Sequence, residues 1–425
     1  MYLFQSLSRV ALAALLTIGA VPGYAALLTL DEALRLAQER SRQLPALGAT
    51  AAAARSMAVA AGQRPDPVLK TGLNSLPVSG ADRFSLVRDN FTMLSLGVSQ
   101  ELTRGGKLKA RTSRLEREAE VAEAARELTL ANLQRDTATA WLERHYQERM
   151  RDLLLTQRDE ASLQIEAADA AYRGGRGSQA DVFAARAGVV QIEDRIAQVE
   201  RQITTATTQL TRWVGAAAAE PLGPPPLLDA VGLRAEDVEA QIVHHPRIAV
   251  MARQEAMAQA DVDVARSNKQ TDVSVELTYS QRGPSYSNMV SVNLSVPLQW
   301  DQKNRQDREV LAKQAVVEQM RAEREEATRV HVADVLTLLQ QWRGDRDRLT
   351  RYDSSLLPLA TERTLAAIAA YRGGSGSLAA VLEARRGEID TRMERLRLEM
   401  EVARLWAQLK HIVPAVHPAP AAARP

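Results

Sequence analysis

The chain repeats itself once, and this duplication constrains its fold more than any other feature. The segment 171–178 (AYRGGRGS) returns at 370–377 as AYRGGSGS, and the match continues to Gly188 and Gly387 at one constant offset. A shared frame of this length at a single offset is typical of a duplicated structural unit. Each half has the pattern of a helix, two strands, a long helix, a glycine-rich turn and a further helix.

Composition indicates where the two halves begin and end. Residues 26–215 and 235–413 are predicted as the first and second repeat. Residues 216–234, which are rich in alanine, glycine and proline, are predicted as the linker between them. Residues 414–425 are rich in proline and alanine, which predicts a disordered tail.

Residues 1–25 have the pattern of a secretory signal peptide. One basic residue, Arg9, precedes the short apolar run Val10–Ala20. Gly23 and Ala25 are the small residues that cleavage after position 25 requires. The alternative is a membrane anchor, but the run is shorter than the roughly 20 apolar residues that span a bilayer. The sequence therefore predicts an exported protein.

A proline-free stretch from Gly105 to Tyr172 predicts one very long helix. At the rise of an α-helix it measures about 100 Å, which is longer than a single globular domain. A coiled-coil or tubular assembly of helices is therefore expected. Apolar spacing predicts further helices over Thr29–Gly62, Ser178–Trp213, Ala235–Ser267, Gln302–Tyr371 and Ser377–Ile412.

Four segments instead alternate between apolar and polar residues, which is the period of a strand with one apolar and one polar surface. They are predicted as strands at about 67–75, 91–102, 272–281 and 289–299. Strands of this length cross an outer membrane. A spanning sheet has no open edges in lipid, and membrane barrels need about eight strands or more. Four strands per chain must therefore be pooled, and a trimer gives twelve.

The fold class that these patterns predict is mainly α with a membrane β-barrel. A trimer forms a twelve-stranded barrel, and long helices continue from it as an α-helical barrel. The alternative is a soluble helical protein that carries two hairpins, but an isolated hairpin is marginal in water.

Composition excludes several classes of function. Lys and Arg number 54 against 52 Asp and Glu, whereas nucleic-acid-binding proteins concentrate positive charge, so no nucleic acid is expected. The chain has no cysteine, which excludes thiolate chemistry, cysteine metal sites and a cysteine-linked lipid anchor. The pair His244-His245 has no carboxylate at ligand spacing. We expect no enzyme activity, no bound metal and no cofactor.

Several motifs, taken in order, resemble the TolC family of trimeric outer membrane efflux proteins. They are Leu28–Leu34 (LTLDEAL), Gly105-Gly106-Lys107 after the second strand, and the two Tyr-x-x-Gly turns. The resemblance covers nearly the whole mature chain. The stretches Phe91–Lys107, Leu73–Val78 and Arg83–Ser85 are similar to the CzcC-like branch, which exports heavy-metal cations.

The resemblance implies a passive exit duct in the outer membrane of a Gram-negative bacterium, with its helical barrel in the periplasm. The duct is a homotrimer in outer membrane lipid. It docks on a periplasmic adaptor protein. A proton-driven inner-membrane pump of the RND type delivers the cargo through this adaptor. Heavy-metal cations are the expected cargo, and multidrug efflux through the same fold is the alternative. A periplasmic coiled-coil adaptor or scaffold is an alternative of another class.

The resemblance also implies a functional site at the two glycine-rich turns, about 173–179 and 372–378. The adaptor-docking tip consists of Gly174, Gly175, Gly177, Ser178, Gly373, Gly374, Gly376 and Ser377. The periplasmic gate consists of Asp181, Tyr371, Glu383 and Arg176. Two positions depart from the family pattern, because Ala380 replaces an acidic residue and Gly376 replaces the gate arginine.

Overall fold

The computed structural model of the chain describes residues 27–412. The predicted signal peptide (1–25) and the predicted tail (414–425) lie outside the described residues. Most of the described chain is helical, and a four-stranded sheet interrupts the helices.

In the first half, two shorter helices and two strands precede a pair of long helices. The elements are α1 (Leu30–Arg40), α2 (Gln43–Ala61), β1 (Val68–Asn74), β2 (Met93–Leu102), α3 (Gly105–Arg173) and α4 (Gln179–Val214). The continuous helix predicted over Thr29–Gly62 is wrong. The helix breaks after Arg40, and the hydroxyl of Ser41 accepts the backbone N–H of Leu44 at 3.4 Å in the first turn of α2.

Helix α2 is apolar. By length and composition it is the one helix in the described range that would be able to cross a membrane. Its Ala51 and Ala54 are buried against Ala119 and Ala122 of α3.

The second half repeats this order with more interruptions. After the 3₁₀ turn Gly215–Ala219, its elements are α5 (Val238–Gln241), α6 (Pro246–Ser267), β3 (Val273–Gln281), β4 (Met289–Ser295), α7 (Gln306–Arg351), α8 (Leu357–Arg372) and α9 (Leu378–Lys410). Short 3₁₀ segments flank α5, so the long helix predicted from Ala235 begins only at Pro246. A π-turn, Tyr352–Leu356, separates α7 from α8 just before Pro358, which lacks the N–H that a regular helix needs there.

The four strands form one antiparallel sheet in the order β1-β2-β3-β4. The central pair β2–β3 joins the two halves of the chain, with Leu96 opposite Tyr279. Strand β4 ends at Ser295 rather than near position 299, because Pro297 has no N–H for the ladder. Strand β2 begins at Met93 rather than at position 91. In this chain β1 and β4 are the edges of the sheet.

The sheet has one apolar and one polar face, as the alternation predicts. The apolar face is exposed to solvent in the single chain. It carries Leu69, Leu73, Leu94, Leu96, Val98, Leu277, Tyr279, Val290, Val292 and Leu294. An exposed apolar surface of this extent indicates contact with a membrane or a partner.

Helix α3 is the spine of the helical region, and it packs against α2, α4, α6 and α9. In the largest core, Trp141 and Tyr146 of α3 meet Trp342 of α7 and Trp406 of α9. The indole N–H of Trp141 donates to the carbonyl of Leu28 at 2.9 Å, which satisfies its polar atom inside the core. A smaller apolar cluster around Met150 and Leu154 lies further along α3 toward the glycine-rich turn.

Candidate functional site

The two glycine-rich turns have the same backbone structure. Gly175 and Gly374 occupy equivalent places with φ of +71° and +76°, a left-handed conformation that glycine adopts without steric cost. In the first turn, the N–H groups of Arg176 and Gly177 both donate to the carbonyl of Ala171, at 2.9 and 3.1 Å. In the second turn, the equivalent N–H groups donate to Ala370 at 3.0 Å each. The repeat in sequence is therefore a repeat in structure at this point.

A second glycine in each turn allows the close approach of two backbones. A Cβ atom on Gly177 would lie 3.2 Å from the Cβ of Ala171, and one on Gly376 would lie 3.0 Å from the Cβ of Ala370. A side chain at position 376 would require α8 to shift by a few tenths of an ångström.

The helices that follow the turns begin with different caps. The hydroxyl of Ser178 accepts the backbone N–H of Asp181 at 3.2 Å, and the Asp181 carboxylate accepts the backbone N–H of Ser178 at 2.9 Å. This reciprocal pair is a capping box. In the second half Ser377 accepts the N–H of Ala380 at 3.2 Å, but the methyl side chain of Ala380 cannot return the bond.

The hydrogen bonds of the capping box act on the charge of Asp181. The backbone N–H and the hydroxyl of Ser178 hold the pKa of the Asp181 carboxyl below its usual range. Asp181 is therefore a carboxylate at neutral pH, and it already has two partners within its own turn.

The two turns lie side by side at one end of the molecule. A small apolar cluster joins them, in which Ala168 and Val182 of the first hairpin contact Leu378 and Val381 of the second. The aromatic ring of Tyr371 packs against this cluster. We call residues 173–178 and 372–377 together the tip.

Arg176 lies in the tip and Glu383 lies near it, and neither belongs to the apolar cluster. The Glu383 carboxylate accepts a hydrogen bond from Arg363 of α8 at 3.0 Å, and both side chains are largely exposed. Arg176 is exposed within its turn. The hydrogen bonds and ion pairs of the described residues do not join any two of the four predicted gate residues. The spacing of residues along the sequence did not predict Arg363 as the partner of Glu383, because the two residues belong to different helices.

A groove of about 420 Å³ runs between the two hairpins, just behind the tip. Glu160 of α3 and Arg385 of α9 form an ion pair of 2.6 Å at its wall, and Glu383 lies on the same wall. Part of the groove is lined by small residues, namely Ala161, Ala184 and Gly188. Within residues 27–412, no three or more His, Asp or Glu side chains come together as a metal site would require.

Solved outer membrane channels have the same fold. The chain matches VceC from Vibrio cholerae with a TM-score of 0.75 and 17% identity, over 90% of this chain and 95% of that one. It matches CusC with a TM-score of 0.73 and 15% identity, over 89% and 91%. It matches the open state of MtrE from Neisseria gonorrhoeae with a TM-score of 0.71 and 16% identity, over 90% and 88%. No curated protein matches significantly in sequence.

The sequence itself matches one family over most of its length. The family model described as "Outer membrane efflux protein" matches residues 26–216 and 239–413. These two ranges fall in the two halves of the duplication. The resemblance to TolC-family channels is confirmed, and so is the mainly helical fold with a few strands that these channels share. The alternative of a periplasmic coiled-coil adaptor or scaffold is wrong. The chain belongs to the outer membrane efflux protein family, whose members are non-enzymatic channels of the outer membrane.

Proposed function

We propose that three copies of this chain form one duct through the outer membrane. The observation that carries the proposal is the sheet, whose strands β1 and β4 are edges and whose apolar face is exposed. Unpaired backbone groups are costly in lipid, so a membrane sheet must close on itself. Four strands are too few for closure, and three copies supply a barrel of twelve. The resemblance to trimeric channels favours three copies over two.

The long helices then continue from the barrel as a tube into the periplasm. The duct is the passive outer part of a tripartite system, and a periplasmic adaptor and an inner-membrane pump of the RND type complete it. We propose that the adaptor docks on the tip, through Gly174, Gly175, Gly177 and Ser178 and their equivalents Gly373, Gly374, Gly376 and Ser377. Support comes from the exposure of both turns and from their glycines, which have no side chain and so let another backbone approach closely.

We propose further that Asp181, Tyr371, Glu383 and Arg176 hold the tip closed through contacts between neighbouring chains of the trimer. Arg176 and Glu383 are exposed in the single chain, so their charges are available to neighbours. A threefold ring of Glu383, once released from its ion pair with Arg363, would also favour cations over anions at the entrance, as carboxylate rings do in other pores.

The cargo we propose is heavy-metal cations. The support is the similarity of the stretch Phe91–Lys107 to the CzcC-like branch. Multidrug efflux through the same duct is the alternative. A strain that lacks the gene, tested against zinc, cobalt, cadmium, nickel, copper and silver beside hydrophobic drugs and detergents, separates the two. Selective sensitivity to metals is expected, and sensitivity to drugs alone would move the duct to the multidrug branch.

The trimer has a direct test because the chain contains no cysteine. Single cysteines are introduced into β1, at Leu69, Thr71 or Leu73, and into β4, at Val290, Val292 or Leu294, and combined in pairs. Mild oxidation of membranes should give a covalent trimer for the pairs in register, seen on a denaturing gel. Each single-cysteine protein is the control and should remain a monomer. If none of the nine pairs gave a covalent species larger than a dimer, the trimer would be contradicted.

A further inference from the structure

The polar face of the sheet carries a charge pair of its own. Residues opposite one another in the ladder share a face, so the rows Lys70–Gly97–Thr278 and Val68–Ser99–Glu276 lie next to each other on the polar side. The Lys70 ammonium reaches diagonally across β2 and donates to the Glu276 carboxylate at 2.5 Å. The pair thus links β1 of the first half to β3 of the second.

Two neighbouring residues, Thr278 and Gly97, determine the geometry of this ion pair. The hydroxyl of Thr278 donates to the other oxygen of the Glu276 carboxylate at 3.1 Å, which fixes its orientation. Gly97 lies between Lys70 and Thr278, and a Cβ atom there would be 2.6 Å from the Thr278 hydroxyl oxygen. The bare backbone of Gly97 therefore gives the Lys70 side chain a path across the strand.

Few other charges share this face. Of all residues on the polar side of the four described strands, the charged ones are Lys70, Glu276 and Glu101. Glu101 lies one residue from the periplasmic end of β2 and is exposed. Lys70 is therefore the one cation on this face of the described sheet, and Glu276 is the carboxylate that it neutralises. The rest of the surface is serine, asparagine, threonine, glycine, methionine and valine.

In the twelve-stranded barrel proposed above, the apolar face meets lipid and the polar face lines the lumen. The inference here rests on that barrel. Three copies place three Lys70–Glu276 pairs around the lumen at one height. A ring of three unpaired carboxylates at that height would attract cations and repel anions. We propose that Lys70 is a specificity-determining residue of the pore, which cancels the charge of Glu276 and keeps the middle of the barrel non-selective between cations and anions.

Reversal potentials across planar bilayers test this proposal on the purified full-length protein. A tenfold KCl gradient is used with about 10 mM salt on the dilute side, where the Debye length is about 30 Å and wall charges act across the lumen. Lys70→Met should raise the ratio of potassium to chloride permeability by about twofold or more, because it leaves three unpaired carboxylates per barrel. Glu276→Gln should shift the ratio toward chloride.

The matched controls restore the balance of charge. The double variant Lys70→Met/Glu276→Gln and the swapped pair Lys70→Glu/Glu276→Lys should both return to the wild-type ratio. Glu101→Gln should lower the preference for potassium, since it removes an unpaired carboxylate from the same lumen. All shifts should fade near 1 M salt, where the Debye length is about 3 Å.

The outcomes separate this proposal from the proposed function. If neither the wild-type protein nor the gate variants Asp181→Ala and Tyr371→Phe form channels in bilayers, the duct itself is wrong. If all variants conduct as trimers but have the reversal potential of the wild type, the duct stands and the role of Lys70 is overturned. Glu276→Gln covers the case in which Lys70→Met fails to assemble, because an unchanged ratio in Glu276→Gln would also overturn the role of the pair. A changed selectivity in the swapped pair would likewise contradict charge cancellation.

Discussion

The ammonium of Lys107 donates to the carboxylate of Asp272 at 2.7 Å, and this contact joins the first turn of α3 to the residue that precedes β3. Both side chains are mostly buried, with exposures of 8% and 16%. The other Asp272 oxygen accepts the backbone N–H of Arg104 at 3.1 Å. Helix α3 has no side-chain cap from its own N-terminal residue, so a carboxylate from the other half of the chain bonds its start instead.

We expect Lys107→Met to be strongly destabilising, because it leaves the Asp272 carboxylate buried without its charged partner. The loss should be about 3 kcal/mol, seen as a lower temperature of trimer dissociation on semi-native gels. Lys303→Met is the matched control, since Lys303 follows β4 as Lys107 follows β2 and is exposed. Equal effects of the two changes would contradict a special role for the Lys107–Asp272 pair.

The gate proposal predicts that Asp181→Ala and Tyr371→Phe each raise single-channel conductance in planar bilayers. Each change removes a polar group that is proposed to tie neighbouring chains together at the tip. Tyr172→Phe is the control, because Tyr172 occupies the place of Tyr371 in the first half and its ring is exposed. Unchanged conductance in both gate variants would refute the assignment of Asp181 and Tyr371 to the gate.

The incomplete cap of α9 predicts a stabilising substitution. Ala380→Asp should complete the capping box with Ser377, as Asp181 does with Ser178, and stabilise the second hairpin by about 0.5–1 kcal/mol. A capping carboxylate has a folded pKa below its unfolded value of about 3.9, so the gain should be full above that pH and disappear as the solution is acidified below it. Thermal unfolding of the two proteins at pH 7 and pH 3 measures this. A gain that persists undiminished at pH 3 would show that the carboxylate charge is not its cause.

His245 predicts a dependence of stability on pH. Its Nδ1 accepts the backbone N–H of Arg247 at 3.2 Å at the start of α6, and its ring lies 4.0 Å from that of His331. Burial lowers the pKa of His245 to about 4, and the positive charges of His331 and Arg247 add to the effect. As the pH falls, the unfolded chain takes up this proton first, at about 6.5. The stability it provides is therefore full above pH 6.5 and is lost progressively toward pH 4.

We expect His245→Asn to flatten this dependence. Asparagine keeps an acceptor for the start of α6 but does not titrate. At pH 7.5 the two proteins should unfold at similar temperatures, whereas toward pH 4 the wild type should lose up to about 3 kcal/mol more than the variant. Parallel stability curves over this range would show that His245 does not titrate as its burial suggests.

Local patterns predicted the strands and turns because each depends on neighbours in the chain. The alternation around Leu96 and around Val292 sets the two faces of the sheet, and the spacing of Gly175 and Gly177 sets the reversal between α3 and α4. Such features can be predicted from the sequence without knowing which other elements pack against them.

Features that depend on distant contacts were not predictable from the sequence. The π-turn before Pro358 contains Asp353, which binds Arg395 of α9 at 2.6 Å. Glu383 meets Arg363 only because α8 and α9 lie side by side. The pairing of Lys70 with Glu276 requires the register of three strands. In each case the partner comes from another element, and spacing along one element carries no information about it.

The five tryptophans of this chain occupy very different surroundings. Trp141, Trp342 and Trp406 are buried in the central helical core, and Trp213 is partly buried against it. Trp300 is 88% exposed just beyond the end of β4. Indole emission depends on the polarity around the ring, so the protein carries its own optical probes at two separate places. Emission from the buried group reports on the integrity of the helical core. Trp300 is positioned to respond to a change of detergent or lipid at the rim of the proposed barrel.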